Sequence, residues 1–140
     1  TMTEKNKALL IEVIGQDAVI EGIDFDFEAS TYLNVFGGTT LTVTEAERLA
    51  ANSFKFANCV VTSCTDEKIV RQCDENVLAS ILINPDDDSK IIHGKALVYR
   101  KRAGENTGYE LFTDDEVTEL IDLCDKMVQD IIKETENSVK

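Results

Sequence analysis

Few residues in this chain could do chemistry. There is one histidine, His93, and there are four cysteines, Cys59, Cys64, Cys73 and Cys124. Histidine is the commonest general acid or base. A cysteine-histidine pair would need one of the four thiols within hydrogen-bond reach of the imidazole, activation of that thiol, and an oxyanion hole. Nothing in the sequence marks such an arrangement. His93 stands beside Gly94 in a β-like run and reads as a solvent-facing or locally bonded strand histidine. A small enzyme or ligand-binding protein using Cys73 or His93 is therefore an alternative reading, not the first. The cysteine spacings after Cys59 leave four and then eight intervening residues. They match no paired CxxC zinc arrangement, so reduced thiols and a cytoplasmic location are expected.

Three other clusters invite chemistry and have simpler explanations. Asp86-Asp87-Asp88 offers oxygen ligands of the kind calcium prefers. Counted from Asp86, however, the sixth position of an EF-hand loop is Ile91 instead of glycine, and the twelfth is Leu97 instead of glutamate. The acids read as a solvated turn after Pro85. Gly37-Gly38 lacks the length and spacing of a phosphate-binding loop and reads as a helix stop. Arg100-Lys101-Arg102, with Lys95 upstream, is the basic concentration of the chain. At a hairpin tip it could contact a phosphate or an acidic partner, or pair with the chain's own carboxylates. No metal and no cofactor are expected.

Composition narrows the class. At 140 residues, 43% hydrophobic and 29% charged, the chain suits a single globular domain, which at this size buries roughly 68% of its unfolded surface. The net charge of −13, from 27 acidic against 14 basic side chains, repels nucleic acid and anionic membranes. The same charge leaves room for an acidic inhibitor that occupies the site of a nucleic-acid-binding protein, such as a host defence nuclease. No secretory leader is recognised, Thr1 ahead of Met2 reads as an added residue, and no apolar run approaches the ~20 residues of a membrane span.

The elements that must position these residues follow from pattern. Lys7 to Ile14 is a β-branched apolar run, and turn residues separate it from Ala18 to Glu21, which predicts an opening hairpin. Phe27 to Phe36 has helical spacing and stops at Gly37. Thr39 to Val43 reads as a half-exposed strand. Thr44-Glu45-Ala46-Glu47 has the form of a capping box and predicts a helix through Asn52. Phe56 to Thr62 reads as a strand, Ile69-Val70 as a short one, and Val77 to Ile83 as a buried one ended by Pro85. Ile91 to Arg100 and Tyr109 to Phe112 form a second hairpin around a turn from Arg102 to Gly108. Residues 1–6 are expected to be disordered, and residues 44–75 read as an insertion within the one domain.

The clearest element closes the chain. Thr113-Asp114-Asp115-Glu116 is a capping box whose acids suit the positive end of a helix dipole. Val117, Leu120, Ile121, Cys124, Met127, Val128, Ile131 and Ile132 then share one face. Through Glu136 the helix is about 23 residues, or roughly 34 Å. A five-stranded sheet is only about 24 Å wide at ~4.8 Å per strand. The last turns therefore overhang, and Met127, Val128, Ile131 and Ile132 need cover from the middle of the chain or from a second copy. A homodimer through this helix is the alternative cover.

Lys7 to Val13, Phe36-Gly37-Gly38, His93 to Val98 and Leu111 to Val117 together resemble a family of small uncharacterised phage and mobile-element proteins. The resemblance touches about half the chain. It implies a mobile-element setting, a short opening hairpin, a helix ending near the glycine pair, and a closing helix with a Thr/Asp cap. The family has no established activity, so no catalytic residue carries over.

The sequence thus predicts one α+β domain, with a mainly antiparallel sheet of five or six strands, two short helices and a long C-terminal helix. The expected function is that of a non-catalytic accessory protein acting by protein contact. Its candidate contact residues are Arg100, Lys101, Arg102, Asp114, Asp115, Glu119, Asp122, Met127, Val128, Ile131 and Ile132. The acidic-inhibitor alternative requires Asp114, Asp115, Glu119, Asp122 and Asp86 to Asp88 to form one unbroken negative face.

Overall fold

The computed structural model describes residues 4–15, 17–83, 88–102 and 108–138. Its centre is an antiparallel sheet of six strands in the order β2-β1-β5-β4-β3, with β6 added to β5. The strands are β1 Lys7–Ile14, β2 Asp17–Asp24, β3 Leu41–Glu45, β4 Cys59–Cys64, β5 Ala96–Lys101 and β6 Tyr109–Glu110. The helices are α1 Ala29–Phe36, α2 Glu47–Asn52, α3 Glu67–Val70, α4 Val77–Ile83 and α5 Asp114–Ser138. This is the α+β architecture that the pattern predicts.

Register decides which side chains share a face, because successive residues of a strand point to opposite sides. Pairing of Leu9 with Val98, Ile11 with Ala96, and Val61 with Val98 puts these residues on one face. Leu10, Leu97, Tyr99 and Thr62 occupy the other. Both faces of β5 are buried, from Ala96 through Tyr99. Such a strand needs a helix layer on each side.

On the first face lies α5. It crosses β1 and β2 so closely that a Cβ on Gly22 would sit 2.6 Å from Val117 Cγ1. Gly22 is thus required by close approach. On the second face lies α1, attached through aromatic rings and hydroxyls. Thr62 Oγ1 donates to the Tyr99 hydroxyl at 2.7 Å, and that oxygen lies 3.1 Å from the Tyr32 hydroxyl of α1. Phe25 meets Tyr32 edge-on at 4.9 Å, and Phe27 meets Tyr99 edge-on at 5.1 Å.

The closing helix forms as its capping box dictates. Glu116 N donates to Thr113 Oγ1 at 3.2 Å, and Thr113 N donates to Glu116 Oε1 at 3.0 Å. Leu120, Cys124 and Met127 are buried, whereas residues 132–137 are exposed. The overhang is real but short. Met127 is 4% exposed and Val128 packs on the core, so the chain itself covers them. Ile131 is half-buried, and Ile132, at 43% exposure, is the apolar residue left open.

Several expected elements differ. Val77 to Ile83 is a helix rather than a strand, because Asn76 Oδ1 accepts from Ala79 N at 3.2 Å and caps it. Ile69 and Val70 belong to a helical turn capped by Asp66, whose Oδ1 accepts from Lys68 N. The Thr44 capping box does not form. Thr44 pairs with Val61 inside β3, and α2 starts at Glu47 with no side-chain cap on Ala46.

The first helix starts at Ala29, because the Asp26 carboxylate accepts from Glu28 N at 3.0 Å and Thr31 Oγ1 at 2.6 Å. Phe27 is left at φ 63, a conformation held by its ring contacts with Phe25 and Tyr99. Its stop is as predicted: Gly37, at φ 72, donates to Leu33 O at 2.8 Å. β2 extends to Asp24, β3 and β4 shift toward the C-terminus, and Phe54–Phe56 is a 3-10 turn. Residues 91–95 are not strand.

Within the stretch 44–75, β4 joins β5 to β3 inside the sheet. Ahead of β1, Lys5 Nζ bonds Glu110 Oε1 at 2.7 Å, and Asn6 O accepts from Phe25 N at 3.0 Å. The turns expected near Gln16, over Pro85 to Asp87 and within residues 103–107 fall outside the described residues.

Candidate functional site

The concave site lies at one end of the sheet. A cleft of about 430 Å³ opens between the C-terminal end of α1, the ends of β1 and β4, and the segments around Cys73 and His93. One buried side chain behind the lining ties its segments together. Asn76, with 0% exposure, donates through Nδ2 to Gly94 O at 2.8 Å and to Ile11 O at 3.1 Å. Its backbone N donates to Ile92 O at 2.7 Å, and Ile92 N donates to Ser80 Oγ at 2.9 Å. This bracket binds the segment before β5 to β1 and to the start of α4. Gly94, at φ +80, donates to Asp74 O at 2.9 Å, and a Cβ there would lie 3.0 Å from Cys73 Sγ.

Cys73 and His93 thus line the same cleft, together with Cys64, Glu12 and Lys95. Their convergence comes from the antiparallel bridge between Glu75 and His93. The chemistry of a cysteine-histidine pair is still missing: among the described residues no hydrogen bond joins His93 to a thiol. Cys59 and Cys124 are buried elsewhere, and burial pushes each thiol up to about 12, which disfavours the nucleophilic thiolate. Lys95 Nζ lies 3.8 Å from Glu12 Oε2, so the charges on the cleft wall face each other. Among the described residues no three His, Cys, Asp or Glu side chains converge as a metal site.

The expected contact residues divide sharply. Arg100 points inward. Its Nη2 bonds Glu116 Oε2, its guanidinium carbon stands 4.8 Å from the centre of the Phe112 ring, and its Nε is buried without a partner. Burial pushes the Glu116 carboxyl up, but the Thr113 N–H and the Arg100 charge outweigh it and hold the group below its ordinary range. Lys101 Nζ bonds Glu45 Oε1 at 3.0 Å. Of the basic triplet, only the Arg102 side chain is turned to solvent with no carboxylate beside it among the described residues.

Asp114, Asp115, Glu119 and Asp122 are exposed on the first half of α5. Glu119 is bonded by Lys55, and Lys126 and Lys133 interrupt the outward face farther along. These cations count against an unbroken nucleic-acid-like surface. Asp86 and Asp87 lie outside the described residues.

The residue that sequence pattern missed is Phe54. Its side chain is 96% exposed, although its neighbour Phe56 is buried edge-on to Phe112. A strand would turn Phe54 and Phe56 to the same side, but on the 3-10 turn Phe54–Phe56, at three residues per turn, positions two apart diverge by roughly 120°, so with Phe56 inward Phe54 faces water.

No protein-family model, characterised protein or solved structure matches this chain. Its functional reading therefore rests on its own geometry.

Proposed function

We propose that the chain is a non-catalytic protein that works by gripping a partner protein, with Phe54 and the first turns of α5 as the contact surface. The observation that carries this reading is the 96% exposure of the Phe54 ring on a fixed turn. Phe56 anchors that turn from within, and Lys55 ties it to Glu119 of α5. Burying a phenyl ring contributes about 1.5–3 kcal/mol. Because the backbone beneath it is already ordered, little of that is lost to ordering on contact. Asp115 and Asp122, on the same side of α5 as Glu119, suit a basic rim around an apolar socket on the partner. In the phage or mobile-element setting that the sequence resemblance implies, such a protein acts as a cytoplasmic accessory factor.

The test compares the immobilised full chain with its Phe54→Ala and Phe54→Asp variants in capture from the source cell. The expected result is one partner held in stoichiometric amount by the parent and lost by both variants, with unfolding unchanged within about 0.5 kcal/mol. Capture indifferent to Phe54 would overturn the reading.

A further inference from the structure

The sheet ends at β2, eight residues long and flanked on one side only by β1. The ladder shows which backbone groups are free. Phe25 N bonds Asn6 O, which makes Asn6 and Phe25 a hydrogen-bonded pair of the antiparallel ladder. Every second pair repeats it: Ala8 with Ile23, Leu10 with Glu21, Glu12 with Val19. Lys7 confirms the alternation, since its N–H and C=O turn the other way and bond Phe112. The N–H and C=O groups of Ala18, Ile20, Gly22 and Asp24 consequently point away from β1, off the edge of the sheet. Among the described residues no turn or loop backbone group bonds to them.

Natural edges are blunted by lysine, proline, bulges or a covering segment. β2 has none of the first two, and its pairing with β1 runs without a bulge over all eight residues. Its charged residues are Asp17, Glu21 and Asp24, all acidic; Asp24 is bonded to Lys7, while Glu21 and Asp17 are exposed without a cation beside them among the described residues. Asp114 of α5 adds its charge nearby, acting on Lys7. A second copy of the chain fits this edge badly. The self-pairing centred on Glu21 sets that residue directly opposite its own copy, and the equally long one centred on Ile20 sets the two Glu21 side chains diagonally across, so like charges repel in either register. A lysine- or arginine-bearing strand meets the opposite situation.

From this geometry we infer that the β2 edge accepts an extended basic segment of a partner protein as an added antiparallel strand. Backbone bonds from Ala18, Ile20 and Gly22 hold the segment, and Asp17 and Glu21 select its charge. This surface is separate from Phe54, so loss of the Phe54 contact leaves it intact and the two ideas fail independently.

The probe is a blocked peptide of alternating lysine and valine, titrated into the full chain and followed by amide NMR. The expected result is saturable binding, weakened by salt, with the largest shifts at Ala18, Ile20 and Gly22. Methylating the peptide nitrogens that face β2 should weaken binding about tenfold or more, as loss of ladder bonds requires, and so should a glutamate-valine peptide. Ala18→Pro removes an outward N–H at an exposed position while leaving the β1 ladder in place, and should do the same with little change in unfolding. No binding, shifts scattered over the acids of α5, or equal affinity for the methylated peptide would overturn the inference. An edge whose acids serve only to prevent self-pairing gives the first of these results, with Glu21→Lys then causing dimerisation.

Discussion

Replacing Asn76 by alanine removes three side-chain hydrogen bonds at once. Nδ2 loses Gly94 O and Ile11 O, and Oδ1 loses Ala79 N. A net hydrogen bond contributes about 1 kcal/mol, and a backbone group left buried without a partner costs about 1–3 kcal/mol. Loss of the helix cap is part of that sum, itself worth about 1 kcal/mol. Water reaching the cleft can rescue Gly94 O, and Ile11 O keeps its ladder bond to β5 opposite Ala96. The expected loss is about 2–4 kcal/mol, or roughly 7–14 °C in Tm for a domain of this size. Urea unfolding monitored by circular dichroism measures it, and amide exchange at Gly94 reports whether the segment before β5 loosens. Asn76→Asp separates cap from donor. The carboxylate retains an acceptor for Ala79 N but sets its other oxygen against two carbonyl oxygens, those of Gly94 and Ile11, which repel it. Its folded pKa should be raised, so its stability is greatest below the unfolded value near 3.9 and falls as pH rises through the folded one. A loss under about 1 kcal/mol for Asn76→Ala, or an Asn76→Asp variant more stable at neutral than at acid pH, would refute the bracket as described.

Two other outcomes follow from the same structure. Glu116 has its folded pKa held down, so its contribution is present above the unfolded pKa near 4.3 and is lost as pH falls through the folded value. Glu116→Gln should therefore destabilise the chain at neutral pH, because the Arg100 charge loses its carboxylate, and the gap to the parent should narrow as pH falls through the folded value when measured by denaturant unfolding. Cys73 is the half-buried thiol, while Cys59, Cys64 and Cys124 are buried. Alkylation of the folded chain followed by mass spectrometry should modify Cys73 first, with Cys59 and Cys124 reacting only on unfolding.

What the sequence made legible was whatever depended on local pattern with a local cap. The helix after Thr113 was readable because the cap, the first-turn acids and the apolar stripe all agree. The Thr44 motif failed because a partner 17 positions on, Val61, recruits Thr44 into a ladder that no capping pattern reveals. Val77 to Ile83 misled for a different reason. Leu78, Ala79, Leu82 and Ile83 are buried, and an apolar run of that length has no period to distinguish helix from strand. Asn76 was the available signal, an N-cap residue immediately before the run. The cleft was not legible at all, since Cys73 and His93 are brought together by the Glu75–His93 bridge and a buried amide. The basic triplet illustrates the limit of counting charges: Arg100 and Lys101 are held by Glu116 and Glu45, which lie far from them in sequence.

The placement of β5 has a consequence for how the chain comes together. β1, made first, has its inner neighbour in β5, about ninety residues later, while β3 and β4 also wait for β5 to join them to the opening hairpin. During synthesis the molecule is thus two unconnected halves: β1 with β2, and β3 with β4. Each half exposes an unpaired apolar strand until the Ala96–Lys101 stretch leaves the ribosome and slots between them. Assembly is in this respect a closing of one gap rather than growth from an end. A ribosome stalled before residue 96 would hold a chain with two open strands and no middle.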